Sequence, residues 1–153
     1  MADRLHLCRT ADYQFGRGAG AALFEPFDAL EISHTASGRP RQIRLDGERL
    51  ATYRTDGRYT LGPAGANRLL AAFETPALRV VVGEESAPYV REGRNAFAKF
   101  VQQSSAAIRP GDEVMVVQAG SDELLGVGRA ELSGTGMAEF DTGMAVKIRH
   151  GVE

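Results

Sequence analysis

The chain has 153 residues, of which 43% are hydrophobic and 25% charged, a globular composition that argues against a disordered protein. Its length suits one ordinary domain or two small ones and excludes a large catalytic barrel. The formal net charge of -2 provides no overall basic field, so any nucleic-acid binding must depend on a local patch.

The sequence indicates neither a membrane segment nor stabilisation by cross-links. No run approaches the roughly 18 consecutive apolar residues that cross a bilayer, and residues 1–10 lack the apolar core of a signal peptide. We therefore expect a cytoplasmic protein with no membrane partner. The single cysteine, Cys8, excludes an internal disulfide and a multi-cysteine zinc site.

The first half of the chain predicts a small α+β domain. A short alternating run, Leu5 to Leu7, is followed by a helix that Thr10 or Asp12 would cap and that extends to Leu23. Asp-Gly pairs, which favour hairpin turns, join the last three of four expected strands into an antiparallel meander. A helix that begins at Pro63 should cover the meander. The expected strands are residues 30–33, 41–45, 48–55 and 58–61.

The second half predicts a small, partly closed β-barrel. A short helix over residues 84–92, with Pro88 in its first turn and Gly93 as its cap, follows a buried apolar strand. Ser133 should cap a second short helix. The expected strands are residues 78–82, 95–101, 113–117, 124–132 and 144–151.

Three closely spaced glycines, Gly16, Gly18 and Gly20, suggest a phosphate-binding loop, but their context does not support one. A dinucleotide fingerprint needs a preceding strand and an acidic residue about 20 positions later, and a P-loop needs Gly-Lys followed by Ser or Thr. Neither pattern is present. We interpret the small residues as a site of close helix packing.

No arrangement of residues predicts catalysis, a metal or a cofactor. The histidines His6, His34 and His150 are far apart, and only His6 and Cys8 would share a face at strand spacing. Two ligands do not make a zinc site. The sequence contains neither Gly-x-Ser-x-Gly nor a cysteine with histidine partners, so no nucleophile is indicated.

Two basic stretches are more informative, since 16 of the 18 basic residues are Arg, which suits phosphate binding and base stacking. Six arginines lie between Arg39 and Arg58 with three acids, and this local charge of +3 could face either RNA or solvent. The second stretch alternates cations with aromatics, a combination that holds phosphates and stacks unpaired bases. Its residues are Tyr89, Arg91, Arg94, Asn95, Phe97, Lys99 and Phe100.

Residues 78–152 resemble the PUA domain, an RNA-binding module named for pseudouridine synthases and archaeosine transglycosylases. The segments that carry the resemblance are VVVGEESAPYVREGRNAFAKFV, RPGDEVMVV, LLGVGRAEL and MAVKIRHG, in the order of the family. Residues 4–75, with RTADYQFGRGAGAALF and LGPAGANRLLAAF, resemble the small domain that precedes it in archaeal tRNA-guanine transglycosylases. The resemblance implies an α+β protein with a small domain over residues 1–75 and a PUA-type β pseudo-barrel with two short helices over 76–153.

The resemblance also implies binding of structured RNA, tRNA or rRNA. It implies that the chain is non-catalytic, because the transglycosylase needs a barrel with an aspartate nucleophile and a cysteine-rich zinc site, and 153 residues with one cysteine can hold neither. In a regular strand Phe97 and Phe100 point in opposite directions, so one of them should be core. If about four cations contact phosphates, the log-log salt slope of binding would be near -3. The RNA-binding residues implied are Gly83, Arg91, Gly93, Arg94, Asn95, Phe97 and Lys99, with Lys147, Arg149 and His150 on the last strand.

Three rival interpretations remain open. The chain could be an RNA-binding accessory subunit of a separate catalytic chain such as a tRNA-guanine transglycosylase, which co-purification would favour. It could be a stand-alone RNA-modifying enzyme, which base turnover would reveal. It could also use a PUA-like fold for packing alone, in which case Arg91, Arg94 and Lys99 would tolerate alanine.

Overall fold

The structure, a computed structural model, describes residues 2–153. The chain folds into two compact units, of which the first ends at Ala72 and the second spans Phe73–Glu153. Each unit combines helices with a largely antiparallel sheet, so the predicted α+β class is confirmed.

The first unit packs helices against a four-stranded antiparallel meander in the order β1-β2-β3-β4. Its turn glycines Gly47 and Gly57 have φ of 82° and 81°, the left-handed conformation that Asp-Gly turns supply. The predicted meander is therefore confirmed, with β1 as a fourth strand. The elements are helices α1 (Ala2–Phe15), α2 (Ala19–Phe24) and α3 (Pro63–Ala72), a 3-10 turn (Phe27–Ala29), and strands β1 (Glu31–His34), β2 (Pro40–Leu45), β3 (Glu48–Tyr53) and β4 (Tyr59–Leu61).

The predicted start of the first helix is wrong. Helix α1 already begins at Ala2, so Thr10 and Asp12 lie inside it. The alternating Leu5 to Leu7 run is helical too, and His6 and Cys8, two residues apart on a helix, do not share a face. A three-residue alternation is too short to distinguish a strand from one helical turn.

The glycines separate α1 from α2 and allow the two helices to pack closely. Gly16 and Gly18 have φ of 122° and 95°, which ends α1 and begins a second helix, so the single helix expected to extend to Leu23 is also wrong. A Cβ on Gly20 would lie 2.5 Å from the carbonyl oxygen of Cys8, so the predicted close packing is confirmed. Asp12 contributes at this point, because its Oδ1 accepts a 2.7 Å hydrogen bond from the Gly20 amide in the first turn of α2.

The core of the first unit lies between its helices and its sheet. Leu7 is fully buried on α1, and its carbonyl accepts a 3.0 Å hydrogen bond from the buried Tyr59 hydroxyl. Burial raises the pKa of Tyr59 far above its usual value, which keeps the hydroxyl a donor. A Cβ on Gly65 would lie 2.0 Å from the carbonyl oxygen of Leu50, so α3 covers the meander as predicted.

The second unit is a six-stranded sheet in the order β6-β10-β9-β8-β5-β7, in which only β5 and β8 pair in parallel among the described strands. Strands β6 and β7 lie at opposite edges, yet only a 3-10 turn separates them in the chain. The sheet must therefore curl until its edges approach, which gives the predicted partly closed barrel. The strands are β5 (Arg79–Val82), β6 (Ala96–Phe97), β7 (Val101–Ser104), β8 (Glu113–Gln118), β9 (Leu124–Ala130) and β10 (Met144–Gly151), and the helices are α4 (Ala87–Arg91) and α5 (Gly134–Glu139).

The single strand predicted over residues 95–101 is wrong. The 3-10 turn Ala98–Phe100 divides it into β6 and β7, because the chain must cross from one sheet edge to the other. Strand alternation therefore fails across the turn. Phe97 and Phe100 are 45% and 38% exposed, so neither is a core residue and the expected division between core and surface is also wrong.

The helix expected over residues 84–92 spans only Ala87–Arg91, and the strand expected over 124–132 ends at Ala130, so both predictions are too long. The predicted cap of the second short helix is confirmed. Ser133 caps α5, since its Oγ accepts a 3.0 Å hydrogen bond from the Gly136 amide. A buried ion pair adds a contact that the sequence did not indicate. Arg79 is 2% exposed, and its guanidinium donates to both carboxylate oxygens of Asp122 and to the carbonyls of Phe73 and Ala77. These bonds fix the start of β5 to the turn between β8 and β9.

Residues 2–153 contain no helix long and apolar enough to cross a membrane. The same residues contain no group of three His, Cys, Asp or Glu side chains placed to hold a metal ion.

Candidate nucleic-acid interface

An apolar cavity of about 170 Å³ opens between α4 and β6 in the second unit. Its floor is formed by core residues of β5 and α4, and its mouth by exposed aromatic side chains. The lining residues are Val82, Ser86, Tyr89, Val90, Arg94, Asn95, Ala96, Phe97 and Phe100.

The turn at the end of α4 positions the residues on two sides of the cavity, those of α4 itself and those of the loop that follows it. Gly93, with φ of 95°, reverses the chain, and its amide donates to the Val90 carbonyl while the Arg94 amide donates to that of Tyr89. These two bonds form a Schellman motif, a helix end that favours glycine at the left-handed position. Asn95 then ties the loop to β10, because its Oδ1 accepts a 2.9 Å hydrogen bond from the Ile148 amide. The loop is thus anchored at both ends.

Cations and aromatic rings alternate around the mouth. The Arg94 guanidinium lies 5.6 Å from the centre of the Tyr89 ring, and the Lys99 Nζ lies 5.0 Å from the centre of the Phe100 ring. Tyr89 is 54% exposed and the Arg94 side chain 69% exposed, although Glu92 lies 3.5 Å from the Arg94 Nε. Aromatic faces stack unpaired bases and neighbouring cations hold phosphates, so this surface can bind a single-stranded nucleic acid.

Comparison with known proteins assigns a family to each of the two units. Residues 6–76 match the patch-forming domain C2 of tRNA-guanine transglycosylase, and residues 78–152 match the PUA domain. The chain pairs a C2 domain with a PUA domain. The resemblance drawn from the sequence motifs is therefore confirmed.

The curated relatives are archaeal enzymes named tRNA-guanine(15) transglycosylase. The chain is 47% identical to that of Pyrococcus furiosus over 150 residues, which cover 97% of this chain and 25% of the relative. It is 43% identical to that of Methanothermobacter thermautotrophicus, again over 97% of this chain but only 22% of the relative. The chain thus spans about a quarter of the length of the curated relatives it matches.

Two solved structures share the fold. A hypothetical protein from Pyrococcus horikoshii is 22% identical with a TM-score of 0.79, covering 98% of this chain and 90% of its own. A conserved PUA domain protein from Thermoplasma acidophilum is 22% identical with a TM-score of 0.60, covering 80% of this chain and 75% of its own. At these identities the likeness establishes the fold alone.

The structure gathers half of the RNA-binding residues predicted in the PUA domain around the cavity. Arg94, Asn95 and Phe97 line it, and Lys99 lies at its mouth beside Phe100. Gly93 contributes through its backbone, as the cap of α4.

Two of the predicted cations form ion pairs with carboxylates of the PUA domain itself. Arg91 donates to the Val152 carbonyl at 2.9 Å and pairs with Glu123 at 3.0 Å. Arg149 forms a two-pronged ion pair with Glu113, whose side chain is only 5% exposed. Both arginines therefore secure β10 and the end of the chain.

The remaining predicted residues lie outside the cavity lining. Gly83 is buried, and the Glu85 carboxylate lies 2.5 Å from the position a Cβ would take there, so this glycine is covered. Lys147 is exposed on β10, one residue beyond Val146, which pairs with Ala96 of β6. His150 is exposed further along β10, past a bulge.

Sequence reasoning missed part of the lining. Tyr89 and Phe100 were noticed among the alternating aromatics but were not predicted as site residues, and their ring contacts with cations show why they belong there. Val82, Ser86 and Val90 reach the cavity only because β5 and α4 fold against β6. A sequence pattern of buried apolar residues does not indicate which of those residues line a cavity.

Three of the six arginines in the basic stretch of the C2 domain contact residues of their own meander. Arg44 donates to Gln42 at 3.0 Å, and Arg49 donates to the Thr52 hydroxyl at 3.0 Å. Arg54 lies 3.7 Å from Asp56. Contact between this stretch and RNA stays a prediction.

Proposed function

We propose that this protein binds structured RNA, in particular tRNA, through its PUA domain, and that an unpaired base enters the cavity. The observation that supports this most directly is the apolar cavity ringed by exposed aromatics, two of which carry a cation over the ring. A volume of about 170 Å³ is below the roughly 300–1,000 Å³ typical of drug-sized ligands, which suits one flat base. Base stacking on aromatic rings is worth about 1–3 kcal/mol per base.

The electrostatic contribution must be local. Residues 76–153 carry 8 Arg and Lys against 11 Asp and Glu, so the domain as a whole does not attract RNA. With Arg91 and Arg149 paired to glutamates, Arg94, Lys99 and Lys147 are the cations we assign to phosphates. Three contacts on single-stranded RNA give a log-log salt slope of about -2, shallower than the value of about -3 expected from the sequence.

We further propose that the chain itself is non-catalytic and contributes RNA affinity. It matches about a quarter of each relative named as a transglycosylase, so three quarters of those enzymes have no counterpart in these residues. An accessory subunit of a separate catalytic chain fits the same observation. We set the domains at residues 1–75 and 76–153, in line with the matched segments 6–76 and 78–152.

Fluorescence anisotropy with labelled tRNA tests the proposal. The purified protein is titrated against intact tRNA and against tRNA trimmed of its single-stranded 3′ end, at two salt concentrations. Phe97→Ala removes an exposed ring from the mouth, and Phe140→Ala, which removes a ring that is 54% exposed and lies outside the lining, is the matched control.

We expect trimming to weaken binding and Phe97→Ala to weaken binding of intact tRNA by about 5- to 150-fold, the equivalent of one lost stacked base. Phe140→Ala should bind as the unmodified protein does. Equal affinities of the two variants would reject the cavity as the RNA site. Failure of the unmodified protein to bind either RNA would reject RNA binding by this chain.

A further inference from the structure

Ser86 places a hydroxyl group without a partner in the otherwise apolar cavity between α4 and β6. The residue is 9% exposed and lines the cavity. It occupies the capping position before α4, yet its side chain accepts no capping hydrogen bond. Among residues 2–153 its hydroxyl has no other partner, and only the Arg39 Nε is both unpartnered and sealed from solvent. The Ser86 hydroxyl is therefore open to the cavity.

Asn95 supplies a second polar group, and its orientation is fixed. Its Oδ1 accepts the 2.9 Å hydrogen bond from the Ile148 amide, so its Nδ2 is the atom left to bind a ligand. No residue in the described part of the chain accepts a hydrogen bond from that Nδ2. Because an amide nitrogen only donates, Asn95 needs an acceptor atom on the occupant of the cavity, whereas the Ser86 hydroxyl can donate or accept.

The interior of the cavity suits a neutral ring. Val82, Val90 and Ala96 form apolar walls, and the charged residue of the lining, Arg94, has a side chain that is 69% exposed at the mouth. An ionised group placed inside would lose its hydration without gaining a counter-charge. A flat ring with one polar edge would instead bury its faces against the apolar walls and direct that edge toward the two polar groups.

The size of the cavity distinguishes one-ring from two-ring bases. A cavity of about 150 Å³ engineered into another protein holds a single benzene ring. With about 170 Å³, the cavity between α4 and β6 has room for the six-membered ring of a pyrimidine but not for the fused rings of a purine. Uracil and cytosine both carry a carbonyl acceptor for Asn95 and an N–H donor for the Ser86 hydroxyl.

We propose that the cavity selects a pyrimidine, and that Ser86 and Asn95 bind its polar edge. The inference rests on the proposed binding of RNA through this cavity. The base belongs to an unpaired nucleotide and enters edge first, and the phosphate of that nucleotide stays at the mouth beside Arg94. Both pyrimidines satisfy the two polar groups, so the site separates pyrimidines from purines and does not separate uracil from cytosine.

Fluorescence anisotropy of the purified chain with labelled RNA hexamers tests the selectivity. The host is an adenosine hexamer, in which a single uridine, cytidine or guanosine replaces the third nucleotide, so that stacking within the strand changes little. We expect uridine and cytidine to raise the affinity by about fivefold or more, because one base gains a stacked position, and guanosine to leave it unchanged. A guanosine-containing hexamer, or the adenosine host itself, that binds as tightly as the uridine-containing one would overturn the proposal.

Ser86→Ala tests the hydrogen bond to the base. It should weaken binding of the uridine- and cytidine-containing hexamers by about 2- to 13-fold, the effect of one hydrogen bond, and leave the adenosine host unaffected. The melting temperature should not change, because the Ser86 hydroxyl makes no bond within the described residues. Ser105→Ala is the matched control, since Ser105 is also 9% exposed but lies outside the lining, and it should bind every hexamer as the unmodified protein does. An equal loss for all hexamers, no loss at all, or a lower melting temperature would overturn the role of Ser86.

Binding of intact tRNA separates this inference from the proposed function. If tRNA binding depends on Phe97 as expected but all hexamers bind equally, pyrimidine selection is overturned and RNA binding through the cavity is not. A protein that binds tRNA and none of the hexamers would also overturn pyrimidine selection. Failure to bind tRNA and hexamers alike would reject both.

Discussion

Removal of two cations at the cavity mouth, Arg94→Ala with Lys99→Ala, tests the assignment of phosphate contacts. Each phosphate contact on single-stranded RNA contributes about 0.7 to the log-log salt slope, so the slope should fall from about -2 to about -0.7. The same term gives an affinity loss of about 25-fold at 0.1 M salt and about fivefold at 0.3 M. The loss should therefore diminish as salt increases.

The double substitution should have little effect on the stability of the fold. Arg94 lies 3.5 Å from the largely exposed Glu92, and an exposed ion pair contributes only about 0–1 kcal/mol. For a domain of this size that corresponds to a melting shift of at most about 8 °C.

Fluorescence anisotropy at several salt concentrations and a thermal melt provide the two measurements. Arg4→Ala with Arg109→Ala, which removes two exposed cations that do not line the cavity, is the charge-matched control. An affinity loss that does not depend on salt, or an equal loss in the control, would refute the assignment. A much larger melting shift would mean that these side chains support the core.

Other parts of the molecule give three further predictions. Asp122→Ala should lower the free energy of unfolding by about 3 kcal/mol in chemical denaturation, the low end for an unpaired buried charge because Asp122 is 38% exposed while Arg79 is 2% exposed; a loss under 1 kcal/mol would contradict this. Ser133→Ala should cost about 1 kcal/mol in the same assay through loss of the bond to the Gly136 amide, and no change would mean that the cap is dispensable. Burial, with a smaller contribution from a nearby glutamate, raises the pKa of Cys8, so iodoacetamide should alkylate it more slowly than free cysteine at pH 8, with a rate that keeps rising above pH 9; a rate equal to that of free cysteine would contradict the burial.

Local patterns in the sequence were sufficient for most elements of the fold. Asp-Gly turns require positive φ, and Gly47 and Gly57 adopt it, so the order and the turns of the meander could be predicted, with strand ends within two residues of those observed. Strand β10 spans Met144–Gly151, the range expected from its alternation, because it pairs along its length with β9. Gly93 as the cap of α4 was equally predictable, since a helix end at that position needs a left-handed residue.

Tertiary structure decided the rest, because it depends on contacts between residues far apart in the chain. Closure of the barrel interrupts the strand at Ala98–Phe100 and turns Phe97 and Phe100 outward, which no period-two pattern can indicate. Whether a cation is available to RNA depends on partners 32 or 36 positions away, as for Arg91 with Glu123 and Arg149 with Glu113. The sequence alone determined which kinds of residue could bind RNA, and the fold determined which of them face a ligand and which are neutralised within the protein.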